Sequence, residues 1–138
     1  MEIHYPVVLE PQEGGGYFAR FPDLGDTFTE GDTEEETLFN AAEVLTGMLA
    51  LKLEDGDAIP LPTPGLAGAH YIAPAAKVQA ALLVRFTRGE RSLAELARAL
   101  NTSWPSAKRL EDPTHWPSLK TLDKAATAMG KKLVLGFE

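Results

Sequence analysis

Charge divides this chain in two. Residues 1–69 carry Arg20 and Lys52 against fourteen Asp and Glu, a balance of −12. Residues 70–138 carry eleven Lys and Arg against six Asp and Glu, a balance of +5, and together the halves make the net −7. A chain of 138 residues has room for one ordinary domain or two small ones. So sharp a change of sign points to two modules with different partners. The basic half has the charge to approach nucleic acid; the acidic half repels phosphate. The absence of cysteine excludes a disulfide scaffold, a thiolate zinc site and a cysteine nucleophile. Met1 to Pro6 lack the charged-then-apolar plan of a signal peptide, and no apolar run approaches the roughly 18 residues of a membrane span. The expectation is a cytoplasmic protein.

In the acidic half, Ile3, Tyr5, Val7 and Leu9 alternate with His4, Pro6 and Val8, the period of a strand with one apolar face. Pro6 has no N–H to give a ladder, so this is an edge strand or one that starts late. Gly14-Gly15-Gly16 makes a permissive turn, and Tyr17 to Phe21 is a second strand paired to the first as a hairpin. Phe21-Pro22-Asp23-Leu24-Gly25 breaks it before a short third strand near Thr27-Phe28-Thr29. Thr33 then caps a helix, with Glu36 completing a capping box. Glu34, Glu35 and Glu36 lie in the first turn, where the helix dipole favours negative charge. They make a poor metal or acid/base cluster, because consecutive helical residues point in different directions. Leu38, Ala41, Ala42, Leu45, Met48, Leu49 and Leu53 follow helical spacing and bury one face. Glu54-Asp55-Gly56-Asp57 ends the helix. Pro60, Pro62, Pro64 and Gly65 make a loop, followed by a short strand near His70-Tyr71-Ile72.

In the basic half, Pro74 suits the first turn of a helix that Val78, Ala81, Leu82, Arg85 and Phe86 carry to Gly89. Ser92 caps the next helix, Leu93 to Leu100, with Glu95 completing a second capping box and Leu93, Leu96, Ala97 and Leu100 turned inward. Asn101 suits a left-handed turn position. Ser103 caps a third helix, about Trp104 to Leu110, with Pro105 in its first turn. Ser118 caps a last one, Leu119 to Met129, stopped by Gly130, and Lys132 to Phe137 reads as a strand. Two short helices joined by a three-residue turn are a helix-turn-helix arrangement. Ala97 is small where they cross, and Leu96, Leu100, Ala107 and Leu110 fill the apolar slots.

A recognition helix sets its N-terminal residues against base edges in the major groove. The candidate DNA-contacting residues are therefore Ser92, Ser103, Trp104, Ser106, Lys108 and Arg109. Lys108 or Arg109 can reach guanine O6 and N7, or phosphate, and Ser106 can bond a base. Ser92 and Ser103 set helix N-termini near phosphates. Trp104 either joins that surface or packs on Trp116 and Pro117. Leu133, Val134, Leu135 and Phe137 belong to a terminal strand that alone exposes unpaired backbone. Pairing with a second copy would bury it and space two recognition helices about one DNA turn apart. A homodimer is expected, or a homotetramer if the N-terminal sheets also associate.

Three separated segments carry a resemblance. Gly16-Tyr17-Phe18-Ala19-Arg20-Phe21-Pro22-Asp23-Leu24, Thr29-Glu30-Gly31-Asp32-Thr33-Glu34-Glu35-Glu36 and Asn40-Ala41-Ala42-Glu43 resemble the HicB antitoxin family, in order, across roughly residues 3–65. The chain departs at Gly25-Asp26, where the family usually has a proline, a glycine and a small residue or cysteine. Ser92 to Leu122 resembles a Cro/C1-type helix-turn-helix. Residues 77–135, including Arg109-Leu110-Glu111-Asp112-Pro113 and Ala128-Met129-Gly130-Lys131, look like the DNA-binding tail of one HicB subgroup. Leu93 stands where that pattern often has a glutamine that touches the DNA backbone.

The expected fold is α+β: residues 1–73 a small antiparallel sheet with one helix, residues 74–138 an all-α helix-turn-helix domain with a C-terminal strand. The resemblance implies that the sheet is a degraded RNase H-like scaffold. It also implies a small, basic, HicA-like RNA-cleaving toxin as partner, inhibited by occlusion of its RNA site, and repression of the protein's own operon. An acidic module complements a basic surface and speeds encounter. Tyr17, Phe21, Pro22, Asp23 and Leu24 are the expected toxin-contacting corner, although Phe21 suits the sheet core as well. Two other readings compete. One is a stand-alone regulator whose acidic domain binds a ligand or another protein. The other is a residual nuclease, which needs several converging carboxylates. Strands 3–9 and 17–21 carry none on their interiors, and His4, His70 and His115 are scattered without nucleophile–base or metal-ligand spacing. No cofactor and no catalysis are expected.

Overall fold

The computed structural model describes all of residues 1–138. In chain order it holds β1 (Tyr5–Pro11), β2 (Tyr17–Phe21), β3 (Leu24–Gly31), α1 (Glu34–Asp55), β4 (His70–Ile72), α2 (Ala76–Arg88), α3 (Leu93–Ala99), α4 (Trp104–Arg109) and α5 (Leu119–Ala128). The fold is α+β. Its strands form one antiparallel sheet in the order β3-β2-β1-β4.

The alternation in β1 puts Ile3, Tyr5 and Val7 in the core, beneath α1. Of the two expectations from Pro6, β1 is not an edge strand, but its pairing with β2 does start late, at Val8. It pairs with β4 over Tyr5–Val7 and with β2 over Val8–Pro11. Pro6 therefore has a strand neighbour on one side only, which leaves a place for a residue without an N–H. β3 is longer than the three residues expected. Its register runs from Tyr17↔Gly31 to Arg20↔Phe28, then jumps to Phe21↔Leu24, so Gly25, Asp26 and Thr27 form a bulge. The Gly25-Asp26 departure lies inside that bulge.

The Gly31-Asp32-Thr33 corner is built for close approach. A Cβ at Gly31 would lie 2.6 Å from Thr37 Oγ1 and 2.8 Å from its N, so no larger residue fits. Thr33 Oγ1 accepts from the Glu36 N–H at 3.1 Å, while the Glu36 carboxylate accepts from the Asp32 N–H at 3.0 Å. The capping box closes one residue before its usual place. Asn40 Nδ2 donates to the Glu30 carbonyl at 2.9 Å and ties α1 to β3. Along α1 the buried positions are Thr37, Ala41, Leu45, Leu49 and Leu53. Leu38, Ala42 and Met48, expected on that face, are half-buried on its flanks.

Pro74 lies before the α2 N-cap, Ala75, and not in the helix's first turn. The cap has no side-chain partner; instead the Ala75 N–H donates to Thr46 Oγ1 of α1 at 3.0 Å. α2 serves two cores. Val78, Ala81 and Leu82 join the sheet and α1, while Val84 packs with Leu96, Ala97, Ala107, Leu110, Ala125 and Met129. The strand expected over Lys132–Phe137 does not form within the single chain. A strand needs a partner backbone, and no strand of this chain lies beside it. Val134, Leu135 and Phe137 are exposed.

Tyr5 gives the sheet module a pH limit. Its side chain is fully buried, and its hydroxyl donates to the Pro60 carbonyl at 2.7 Å. Burial, helped by the negative charge of Asp23, pushes the phenol well above its ordinary 10.0. Below 10 both native and unfolded phenols are protonated. Above it the unfolded chain ionises first, so stability falls as pH rises through the native value. Tyr5→Phe should flatten this alkaline limb and cost about 1 kcal/mol at neutral pH for the lost hydrogen bond. Paired thermal melts of the two proteins from pH 8 to 11 measure both effects.

Candidate functional site

The basic end is organised by serine caps and one left-handed residue. Ser92 Oγ accepts from the Glu95 N–H at 3.1 Å and starts α3. α3 stops at Ala99 with Leu100 as C-cap, so four residues connect it to α4. Asn101 takes the left-handed conformation at φ 53°. The Thr102 N–H then reaches back to the Ala97 carbonyl at 2.9 Å, closing the turn. Ser103 Oγ accepts from the Ser106 N–H at 3.3 Å and donates to Ser106 Oγ at 2.9 Å. Two of the expected DNA-contacting serines are thus bonded to each other. Leu96, Ala97, Ala107 and Leu110 are buried together and lock α3 to α4.

This packing leaves one face of α4 in solvent. Trp104 is 47% exposed, and Lys108 Nζ stands 5.2 Å from its ring centroid, within cation–π range. Trp104 does not pack on Trp116, which is itself exposed beneath Lys77 Nζ at 5.3 Å. Lys108 and Arg109 are both exposed. A cleft of about 770 Å³ beside them is lined by Trp104, Lys108 and Arg109 from α4 and by Glu54 and Asp55 from the end of α1.

The face is anchored by two features that sequence periodicity does not signal. Arg88 at the end of α2 makes a forked pair with Glu111, Nε to Oε2 at 2.6 Å and the second guanidinium nitrogen to Oε1 at 2.9 Å. The hydrogen bond to Glu111 raises the Arg88 pKa further and outweighs partial burial. Asp112 accepts from the Thr114 N–H at 2.8 Å and from its hydroxyl at 2.7 Å. Those bonds hold the Asp112 carboxyl below the usual carboxylate range.

At the acidic end, the expected contact corner is not one surface. Phe21 and Leu24 face each other across the β2–β3 turn and are buried in the core. Asp23 is engaged within the chain, accepting from the Thr63 N–H at 2.9 Å and from its hydroxyl at 2.6 Å. It clamps the proline-rich loop, which Tyr71 also holds by donating to the Thr63 carbonyl at 2.6 Å. Tyr17 is half-buried, and only Pro22 of the five is openly exposed. Asp23 and Thr63 lie forty residues apart, so no local pattern announces their clamp.

His4 lies 2.6 Å from Glu138 and His70 lies 3.5 Å from Glu34. Nowhere do three His, Asp or Glu side chains converge as metal ligands would. No helix is long and apolar enough to cross a membrane.

Residues 4–81 match the family of HicB-like antitoxins of bacterial toxin–antitoxin systems. Antitoxin HicB 1 of Photorhabdus laumondii is 36% identical, covering 99% of this chain and 88% of the relative. Antitoxin HicB 2 of the same organism is 34% identical, covering 96% and 95%. Antitoxin HicB of Escherichia coli is 32% identical, covering 96% and 98%. The family pattern spans the whole sheet and reaches into α2, and the likeness to the relatives runs almost end to end: this chain belongs to the HicB-like antitoxin family.

Proposed function

We propose that the chain is the antitoxin of a type II toxin–antitoxin system. Its acidic module, nominally residues 1–73, occludes the RNA site of a small, basic, HicA-like mRNA-cleaving toxin. Its basic module, residues 74–138, represses its own operon by binding operator DNA. The observation that carries this reading is the match between charge and architecture. The −12 segment makes β1 to β3 and α1, and the +5 segment makes the short β4 and the helices α2 to α5. Opposite fields of this size suit a basic protein and a polyphosphate respectively.

The nucleic-acid half of the proposal rests on α3 and α4 as a helix-turn-helix. The left-handed Asn101, the buried Ala97 and the exposed Trp104, Lys108 and Arg109 support it. Dimerisation through Leu133, Val134, Leu135 and Phe137 is part of the same reading. Val134 is 82% exposed beside a groove lined by Leu83, Phe86, Leu122 and Met129, and a second copy would cover both. The sheet is read as an RNase H-like scaffold without the chemistry.

Co-purification with the tagged full-length chain from its host, followed by co-expression, tests the proposal. The expected result is a stoichiometric small basic protein whose growth arrest the chain relieves. Recovery of specific DNA with no such protein would favour a stand-alone regulator instead.

A further inference from the structure

The buried row of α1 repeats every four residues. The same spacing produces a second row, Glu35, Phe39, Glu43, Gly47, Leu51 and Asp55, which winds about 40° per step round the outer side, and every member is exposed. At 1.5 Å per residue this ridge is about 30 Å long. Folding does not account for its composition. Phe39 is 64% exposed and Leu51 50%, so two large apolar side chains stand in water. Gly47 sits in the middle of a 22-residue helix, where glycine is weaker than alanine. A Cβ added there would meet nothing within 4 Å, and the residue is not among those with positive φ. Neither a turn nor a close approach within the chain calls for a glycine. The charges on the ridge are Glu35, Glu43 and Asp55, with no Lys or Arg among them.

Rows four residues apart are the ridges by which helices pack on other elements. A missing side chain in such a ridge leaves a notch where a neighbour can come close. We infer that this ridge of α1 is the docking surface for a protein with a basic face, namely the toxin of the reading above, on which the inference rests. An apolar group of the toxin enters the notch at Gly47, between Glu43 and Leu51, with Phe39 one step beyond Glu43. Its Lys or Arg side chains answer Glu35 and Glu43. A second copy of the chain does not fit, because two such ridges would set carboxylate against carboxylate with no base in reply. Nucleic acid is repelled for the same reason.

The test is a binding titration of the full-length chain against the purified HicA-like toxin of its own operon, at low and high salt. Gly47→Leu fills the notch while favouring the helix, so its melting temperature should hold or rise while Kd rises at least tenfold. Phe39→Ser should weaken binding similarly. Glu35→Lys with Glu43→Lys should slow association at least tenfold and flatten its salt dependence. If Gly47→Leu and Phe39→Ser both bind with unchanged Kd, the ridge is not the docking surface and the antitoxin reading stands. An unaltered chain that does not bind the toxin overturns both. A lower oligomeric state of Gly47→Leu by itself in sedimentation would make the ridge a self-interface and overturn the inference.

Discussion

Replacing Lys108 and Arg109 together by alanine should weaken operator binding at least ~100-fold, since a bidentate base contact is worth about 1–3 kcal/mol and two cations are removed. Toxin neutralisation should be untouched. Both side chains are exposed and neither has a hydrogen-bond partner in the chain, so the melting temperature should move little, the loss being the exposed Lys108–Trp104 contact worth about 0.5–1 kcal/mol. The salt dependence separates base reading from phosphate binding. Removing one phosphate-binding cation lowers the slope of log K against log salt by roughly one. Fluorescence anisotropy on the operator over a salt series, paired with growth rescue, reads both quantities. A double variant that still binds the operator tightly would move the recognition surface off α4. Glu54 and Asp55 line the same cleft as these cations, and their carboxylates would repel a phosphate backbone that entered it. Glu54→Gln with Asp55→Asn should accordingly tighten operator binding.

Arg88→Ala should cost about 3–5 kcal/mol, because it leaves a nearly buried carboxylate without its partner. The Glu111 side chain is 10% exposed and that of Arg88 is 18%. The guanidinium also donates to the Arg91 carbonyl at 2.6 Å, so its loss frees a second acceptor. Against a typical domain stability of about 5–15 kcal/mol the loss is large. Lysine at 88 should restore only part, since an ammonium cannot make the fork. The double variant Arg88→Ala with Glu111→Ala should lose less than the two single losses combined, which chemical denaturation of the four proteins would measure. The pair joins the end of α2 to the residues just after α4. Operator binding should therefore fail together with stability of the smaller core, while toxin binding by the sheet module should persist. A variant that loses both at once would mean that the two cores unfold as one unit through α2.

Local features were legible in the sequence. Thr33, Ser92, Ser103 and Ser118 all cap the helices they precede, each accepting from an N–H three residues on. Asn101 and Gly56 take left-handed conformations where helices end. The caps follow from groups within one turn of each other, and the alternation of β1 follows from the pleat. The solvent-facing side of α4 was legible for the same reason: burial of Ala107 and of the C-cap Leu110 leaves Trp104, Pro105, Lys108 and Arg109 outside.

The arrangement of the Tyr17–Leu24 corner was not. Phe21 and Leu24 sit in a turn that local chemistry would leave exposed, and they become core only because the β2–β3 hairpin folds over α1. Asp23 looks free in the sequence but is held by Thr63, forty residues away. Charge by itself divided the chain near residue 70, and local pattern supplied its caps and periods, because these depend on neighbours along the backbone. Tertiary structure decided that β1 lies inside the sheet, that α2 is shared between the two cores, that Arg88 finds Glu111, and which side of α1 is left outward. Those outcomes depend on which surfaces exclude water from each other. The terminal segment 132–137 marks the boundary between the two kinds of information: its alternation predicts a strand, and none forms because no strand of this chain lies beside it to share hydrogen bonds.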